Sequence, residues 1–361
     1  MNESAYKQLA IRLDELPNGY PPTEDGAELR LLEKIFTPEE AALAAQLRLG
    51  LETVKEITER IGGDVKELKK QLKSMARKGL IEAGRAEQGL GYGLMPFVVG
   101  VYEMQIARLD AEMAQLFEDY YHQAFGKMVG IEPTFQRVIP VNETVRTGME
   151  VRPFESAADI VADANAWGVL DCICRKQKAL IGDPCDHPVD VCMILSKRSR
   201  AFDNSSVIHA LDQDGAMATL KRAADAGLVH TVSNTQDGVH YICNCCTCSC
   251  GLLRGMAEMG IANVVARSAF VNQVDEDLCQ GCEICVDYCQ FDALSLDDDA
   301  FCVQVNETSC VGCGVCVPTC PDEALSLIRR SEEDVLPTPV SKHEWMQARA
   351  IERDLDLKEI L

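Results

Sequence analysis

The chain has 361 residues, 47% apolar and 25% charged, which are the proportions of an ordinary globular protein with room for two or three domains. Lys and Arg total 35 against 57 Asp and Glu, a formal charge of −22 that argues against nucleic acid as the main partner, because phosphate is repelled. The opening MNESAYKQLAIRLDEL is polar and acidic, unlike a secretory signal, and the longest apolar stretch, roughly 94–102, is too short to span a bilayer, so the chain reads as cytoplasmic with no membrane insertion. In that compartment its 18 cysteines, confined to 172–320, argue for metal or redox chemistry and against a disulfide framework.

Residues 1–26 end in a run holding Pro17, Asn18, Gly19, Pro21 and Pro22, which reads as an N-terminal arm or linker. A helical pattern fills 27–95. Thr37 before Pro38, Glu39 and Glu40 has the form of an N-cap with a first-turn proline and acidic residues matched to the helix dipole. Thr53 starts a second helix that stops at Gly62-Gly63. Asp64 caps a third, with Val65, Leu68, Leu72 and Met75 on one face. The Gly-rich stretch 84–93 follows as a two-stranded hairpin. Three short helices and a hairpin resemble a winged-helix domain. Lys66, Lys69, Lys70, Lys73 and Arg77 share the outer face of the third helix, where such a domain would contact DNA; a solvated face explains them as simply, and the overall charge favours that reading.

Residues 96–170 read as a helical connecting region. Tyr102, Ile106, Leu109, Met113, Leu116 and Tyr120 recur at steps of three and four, predicting a helix over 101–123 whose stripe serves core packing or a homo- or hetero-oligomer. A strand at 137–141 and a helix at 155–167 lead into the first thiols.

The middle region, 171–273, carries nine cysteines in two groups. Cys172, Cys174, Cys185 and Cys192 fall on what reads as irregular loop, and Cys243, Cys245, Cys246, Cys248 and Cys250 follow a strand at 240–242. Single-residue spacings are uncommon for structural zinc, which favours two to four. They crowd soft thiolates into one volume, where a metal must neutralise them. One or two further iron–sulfur clusters are expected here; zinc, a redox-active dithiol and buried thiols remain open. Arg175 and Arg254 flank the groups as potential-raising donors or as plain salt bridges. His187 and His240 lie near cysteines and could replace a thiolate, but a lone histidine is more often an ordinary polar residue and they are read as such.

Over 274–330 a cysteine block occurs twice, 31 residues apart. Cys279, Cys282, Cys285 and Cys289 are repeated as Cys310, Cys313, Cys316 and Cys320, each run spelling C-x2-C-x2-C-x3-C. Val274, Glu276, Gly281, Val286 and 293–296 recur as Val305, Glu307, Gly312, Val317 and 324–327. This duplication resembles the bacterial ferredoxins with two [4Fe-4S] clusters. The resemblance implies that the fourth cysteine of each run ligates the other cluster: Cys279, Cys282, Cys285 and Cys320 for one, Cys310, Cys313, Cys316 and Cys289 for the other. Gln290 departs from the pattern, where the second copy has Pro321. Cys302, on an expected strand between the halves, reads as a small buried residue.

Residues 331–361 read as a linker and a C-terminal helix with Trp345, Ile351 and Leu355 on one side. No dinucleotide fingerprint is present, since Gly89, Gly91 and Gly93 lack both spacing and context, and no Walker A lysine or H-E-x-x-H appears, so no flavin or NAD site is identified. The expected fold is α+β and multi-domain: a helical, winged-helix-like N-terminal region, a mixed cysteine-rich middle and a ferredoxin-like two-cluster C-terminal domain. The whole chain resembles a group of anaerobe iron–sulfur proteins. The expected function is electron transfer, as a protein or as a subunit of an anaerobic oxidoreductase complex, with redox partner proteins that present basic docking surfaces. Two alternatives stand beside it: a redox-sensing winged-helix regulator, and an oxidoreductase whose active site is the middle cysteines.

Overall fold

The helices of the N-terminal unit start where a side chain can accept the free N–H groups of a first turn. The computed structural model describes residues 4–141, 144–297 and 299–359, and this unit comprises Met1–Glu132, Leu180–Asp183 and Met346–Leu361. Ser4 caps α1 (Ala5–Asp14), α2 is Ala27–Ile35, and α3 (Pro38–Ala44) opens on a capping box between Thr37 and Glu40. The short strand β1 (Glu52–Thr53) leads into α4 (Val54–Ile61), where Thr53 and Glu56 form a second box, and Asp64 caps α5 (Val65–Arg77). Strands β2 (Glu82–Ala86) and β3 (Gly89–Gly93) pair antiparallel, and β1 adds to β3 to give the order β1-β3-β2. Leu68, Leu72 and Met75 of α5 are buried, while Lys66, Lys69, Lys70, Lys73 and Arg77 are exposed.

Two expectations for this unit are corrected. Residues 4–26 are not a free arm or linker: Leu9, Leu13, Leu16 and Tyr20 are buried, and the Tyr20 ring lies 4.6 Å from Phe97 and 4.7 Å from Tyr120. The prolines and Gly19 turn the chain rather than extend it. The helix expected over 101–123 starts ten residues later, as α6 (Ala111–Gln123), because Asp110 accepts from the Met113 N–H and caps it there. Tyr102 nonetheless stacks on Phe117 at 3.9 Å, so the apolar stripe is real although its first part is not one continuous helix. From the C-terminal residues, the buried Arg349 donates to the carbonyls of Pro17 and Met128, each at 2.8 Å.

The second unit, Pro133–Ala179 with Pro184–Trp345, begins well before residue 171, where the cysteine-rich domain was expected to start. Its six-stranded antiparallel sheet draws on both sides of that point: β4 (Gln136–Val138), β5 (Ala166–Leu170), β6 (Cys192–Ser196), β7 (His209–Leu211), β8 (Val229–Ser233) and β9 (Tyr241–Cys245), in the order β4-β8-β9-β6-β5-β7. The helix expected at 155–167 is only α7 (Ala157–Ala162); from Ala166 the alternation of the β5 residues wins and Trp167 joins the sheet. The α8 helix (Ile173–Leu180) follows, and α9 (Gln213–Asp225) packs with α7 on a core holding Val161, Met193, Leu220 and Ile242.

After α10 (Arg254–Met259) come two strand pairs. β10 (Phe270–Val274) pairs with the last strand, and β11 (Leu294–Asp297) pairs with β12 (Cys302–Val305), α11 (Ile284–Tyr288) lying before them; β13 (Leu325–Arg329) closes the first pair. The duplicated halves differ at one turn for a covalent reason. In the first, the Asp287 N–H bonds Glu283 at 3.1 Å and α11 forms. The equivalent residue in the second is Pro318, which has no N–H, and the turn tightens to a 3-10 form at Val317–Thr319. The last helix, α12 (Lys342–Glu352), starts in this unit, where the Trp345 indole donates to the Thr134 carbonyl at 2.9 Å.

Candidate metal centres

The C-terminal thiols fall into two sets, and the sets cross between the repeats. Burial raises Cys285 to about 11, reinforced by the charges of Cys320, Cys282 and Cys279. Burial likewise raises Cys313 to about 12, with Cys310 and Cys289 adding, and raises Cys316 well above the ordinary thiol value, with Cys313, Cys289, Cys310 and, least, Cys285 adding. Cys289 thus lies with the second run and Cys320 with the first. Apolar side chains, Val274, Leu294, Val303, Val305 and Leu325 among them, pack around these sulfurs. Donors aim at them too. The Ala293 and Ala324 N–H groups reach Cys289 and Cys320 at 3.4 and 3.3 Å, equivalent contacts in the two halves, and Asn272 Nδ2 reaches Cys316 Sγ at 3.2 Å. Buried thiols that repel one another and accept N–H donors suit anionic clusters. Cys302 is buried as expected, with the added feature that its thiol interacts with Cys279.

Of the first group, expected on irregular loop, Cys172 and Cys185 do lie outside regular elements, whereas Cys174 and Cys192 do not. Cys174 sits in the first turn of α8, Cys192 opens β6, and Cys243 and Cys245 lie on β9. The period of two puts Cys243 and Cys245 on one face of β9, and continuing the register of Met193 with Ile242 sets Cys192 opposite Cys243. Six of the nine thiols close a ring: Cys172 interacts with Cys174 and Cys192, Cys174 with Cys250, Cys192 with Cys243, and Cys245 with Cys243 and Cys250. Hydrogen bonds from their ring neighbours lower Cys172 and Cys243, while Cys174 and Cys192 are raised as the donors. Six thiolates cannot ionise together in a buried ring without cations between them.

Arg175 is the fixed charge beside this ring, only 3% exposed. Burial alone lowers its pKa, but the sulfurs of Cys172, Cys246, Cys245 and Cys192 more than offset that and raise it. Its guanidinium donates to the carbonyls of Pro188 and Asn244 at 3.0 and 2.7 Å, and its Nε–H has no partner among the described residues. Arg254, also buried, faces Glu258 at 3.7 Å instead.

The remaining three middle thiols meet a histidine. The ligand atoms of Cys185, His187, Cys246 and Cys248 all lie within 4.8 Å of one another. His187 was read from the sequence as an ordinary polar residue; the signal overlooked was Cys185-x-His187, which mirrors Cys246-x-Cys248. His240 is exposed and turns to the Gly238 carbonyl.

Gln290 joins these regions. Its side chain accepts from the Thr247 N–H at 2.8 Å and donates to the Gly227 carbonyl. The departure from proline therefore has a use: the residue after Cys289 hydrogen-bonds the loop between Cys246 and Cys248.

Residues 278–324 match the family model of the 4Fe-4S dicluster domain. The chain is thus an iron–sulfur, metal-binding protein with a ferredoxin-like C-terminal segment, a class its crossed thiol sets fit independently. No curated protein matches the chain. Among the described residues, no helix is long and apolar enough to cross a membrane.

Proposed function

We propose that this chain is an electron-transfer protein, or the electron-transfer subunit of an anaerobic oxidoreductase complex, with two [4Fe-4S] clusters in its C-terminal segment and a further iron–sulfur cluster in the six-thiol ring. The observation that carries this reading is the crossing of Cys289 and Cys320 between the repeats. Cys279, Cys282, Cys285 and Cys320 would hold one cluster, Cys310, Cys313, Cys316 and Cys289 the other, and Cys172, Cys174, Cys192, Cys243, Cys245 and Cys250 offer thiols for the third. When bound, such clusters supply one-electron couples whose potentials follow charge, hydrogen bonding and exposure. The chain sets those variables: Asn272 and the Ala293 and Ala324 N–H groups stabilise charge on sulfur, the valines and leucines exclude water, and Arg175 adds positive charge at the ring. The acidic total suits partner proteins with basic docking surfaces, in the cytoplasm.

The test is iron and acid-labile sulfide on anaerobically purified full-length chain, with a potentiometric titration followed by electron paramagnetic resonance. About twelve irons per chain in three reducible centres is the expected result. About eight would remove the ring cluster, and no reducible centre would overturn the electron-transfer reading.

A second reading is supported by α5. Its lysines Lys66, Lys69, Lys70 and Lys73 are exposed and make no ion pair among the described residues, and helices α3 to α5 with the β1-β3-β2 sheet follow the order of a winged helix. A regulator that reads cluster state would bind upstream DNA in a salt-dependent shift assay, and Lys69→Glu, Lys70→Glu and Lys73→Glu together would abolish the shift without changing iron content. We expect no specific shift, because the total charge repels DNA.

A further inference from the structure

We propose that Cys185, His187, Cys246 and Cys248 bind a single zinc ion as a structural site, separate from every iron–sulfur cluster of the chain. The spacing of the donors argues for one ion. Sulfurs at about 2.3 Å and a nitrogen at about 2.0 Å around one tetrahedral zinc stand within about 4 Å of each other. The four thiolates of a cubane each bind a different iron and stand farther apart. The chain carries its own yardstick. Among the described residues, this is the one group of three or more His, Cys, Asp and Glu ligand atoms that all lie within 4.8 Å of each other. The eight ferredoxin-type cysteines and the six ring cysteines do not converge so closely.

The donor set is a closed one, three thiols and one imidazole, the composition of structural zinc. His187 Nδ1 lies 3.7 Å from Cys248 Sγ. Ser249 donates to Cys185 Sγ at 3.3 Å and stands 3.9 Å from Cys248 Sγ, so outer donors are already arranged around the sulfurs. Cys246 is buried and Cys248 exposed, which leaves the ion an entry from solution.

The position supplies a purpose. Cys185 and His187 lie between the ring residues Cys174 and Cys192, and Cys246 and Cys248 lie between Cys245 and Cys250. One redox-inert ion would therefore clamp together the two segments that build the ring, fixing its thiols without taking part in electron transfer. This inference does not depend on what fills the ring.

Zinc and iron measured together on the full-length protein test it. The expected result is about one zinc per chain beside the iron. Cys248→Ser and His187→Ala should lose the zinc while the C-terminal iron stays, and Cys282→Ser should lose iron while the zinc stays. Reloading with cobalt(II) keeps the test usable if the serine variant folds poorly. The wild type should give the visible bands of a tetrahedral thiolate site, and His187→Cys should keep the cobalt and shift those bands toward an all-sulfur site. Iron lost from Cys248→Ser with no zinc in the wild type would overturn the proposal, as would cobalt bands unmoved by His187→Cys.

Discussion

At the scale of single residues, the duplication is written in backbone conformation as well as in thiols. Gly281 and Gly312 have φ of 64° and 69°, and Asp292 and Glu323, again 31 apart, have 49° and 53°. The glycines are there because the left-handed region disfavours a side chain and the lack of space excludes one. A Cβ at Gly312 would lie 2.0 Å from the Phe270 carbonyl oxygen and 2.2 Å from Ser268 Oγ. Gly312→Ala should therefore prevent proper closure of the Cys310 loop and remove about four of the roughly eight C-terminal irons. Gly148→Ala serves as the control: φ is also positive, at 91°, but nothing lies within 4 Å, so only a backbone cost of about 1–2 kcal/mol is expected and the iron should stay. Equal iron in the two variants would refute the steric argument.

At the scale of elements, strands β8 and β9 bury a histidine that cannot easily ionise. His230 is 3% exposed and pairs with Asn244, which is uncharged; burial lowers its pKa to about 4 although that hydrogen bond raises it. The folded chain holds it neutral, whereas the unfolded chain takes up a proton below the model-peptide value of about 6.5. Stability therefore rises with pH between about 4 and 6.5 and is lost on acidification through that window. Between pH 7.5 and 5.5 the loss from this residue is about 1 kcal/mol, and His230→Gln should lack it. Urea midpoints of the two proteins across that range measure the difference, and parallel pH profiles would count against the burial argument. The α11 turn carries a related lesson: a single proline, Pro318, is enough to convert a helical turn to a 3-10 turn in the second copy.

At the scale of the whole second unit, Gln290 ties the ferredoxin-like segment to the cysteine loop after β9. Removing its carboxamide leaves the Thr247 N–H and the Gly227 carbonyl without that partner, a cost of about 1–3 kcal/mol. Gln290→Leu should lower the unfolding free energy by that amount, seen as a lower urea midpoint with an unchanged slope. Gln290→Pro, which restores the motif of the second copy, should be no better. A stabilising effect of the proline would show that the carboxamide contacts contribute little. The same scale explains why one unit spans both cysteine groups: β4 and β5 precede the thiols in sequence, yet they share a sheet with the strands that carry them.

Motif spacing and duplication made the eight C-terminal cysteines legible in the sequence, because the C-x2-C-x2-C-x3-C run encodes a local loop and the repeat encodes its partner. The helix caps at Thr37, Thr53 and Asp64 were equally legible, being contacts within three residues. The arm and the role of Gln290 were not, since each depends on partners distant in sequence: Tyr20 on Phe97 and Tyr120, and Gln290 on Gly227 and Thr247; the start of α6, by contrast, rests on a local cap at Asp110 that the apolar stripe running past it masked. For the middle cysteines, composition announced metal or thiol chemistry but not its division. Only the pairing of β6 with β9, and the return of the segment after α8, separated six thiols in a ring from three thiols with His187. A sequence lists ligands in order along one dimension, and strand register decides which of them meet.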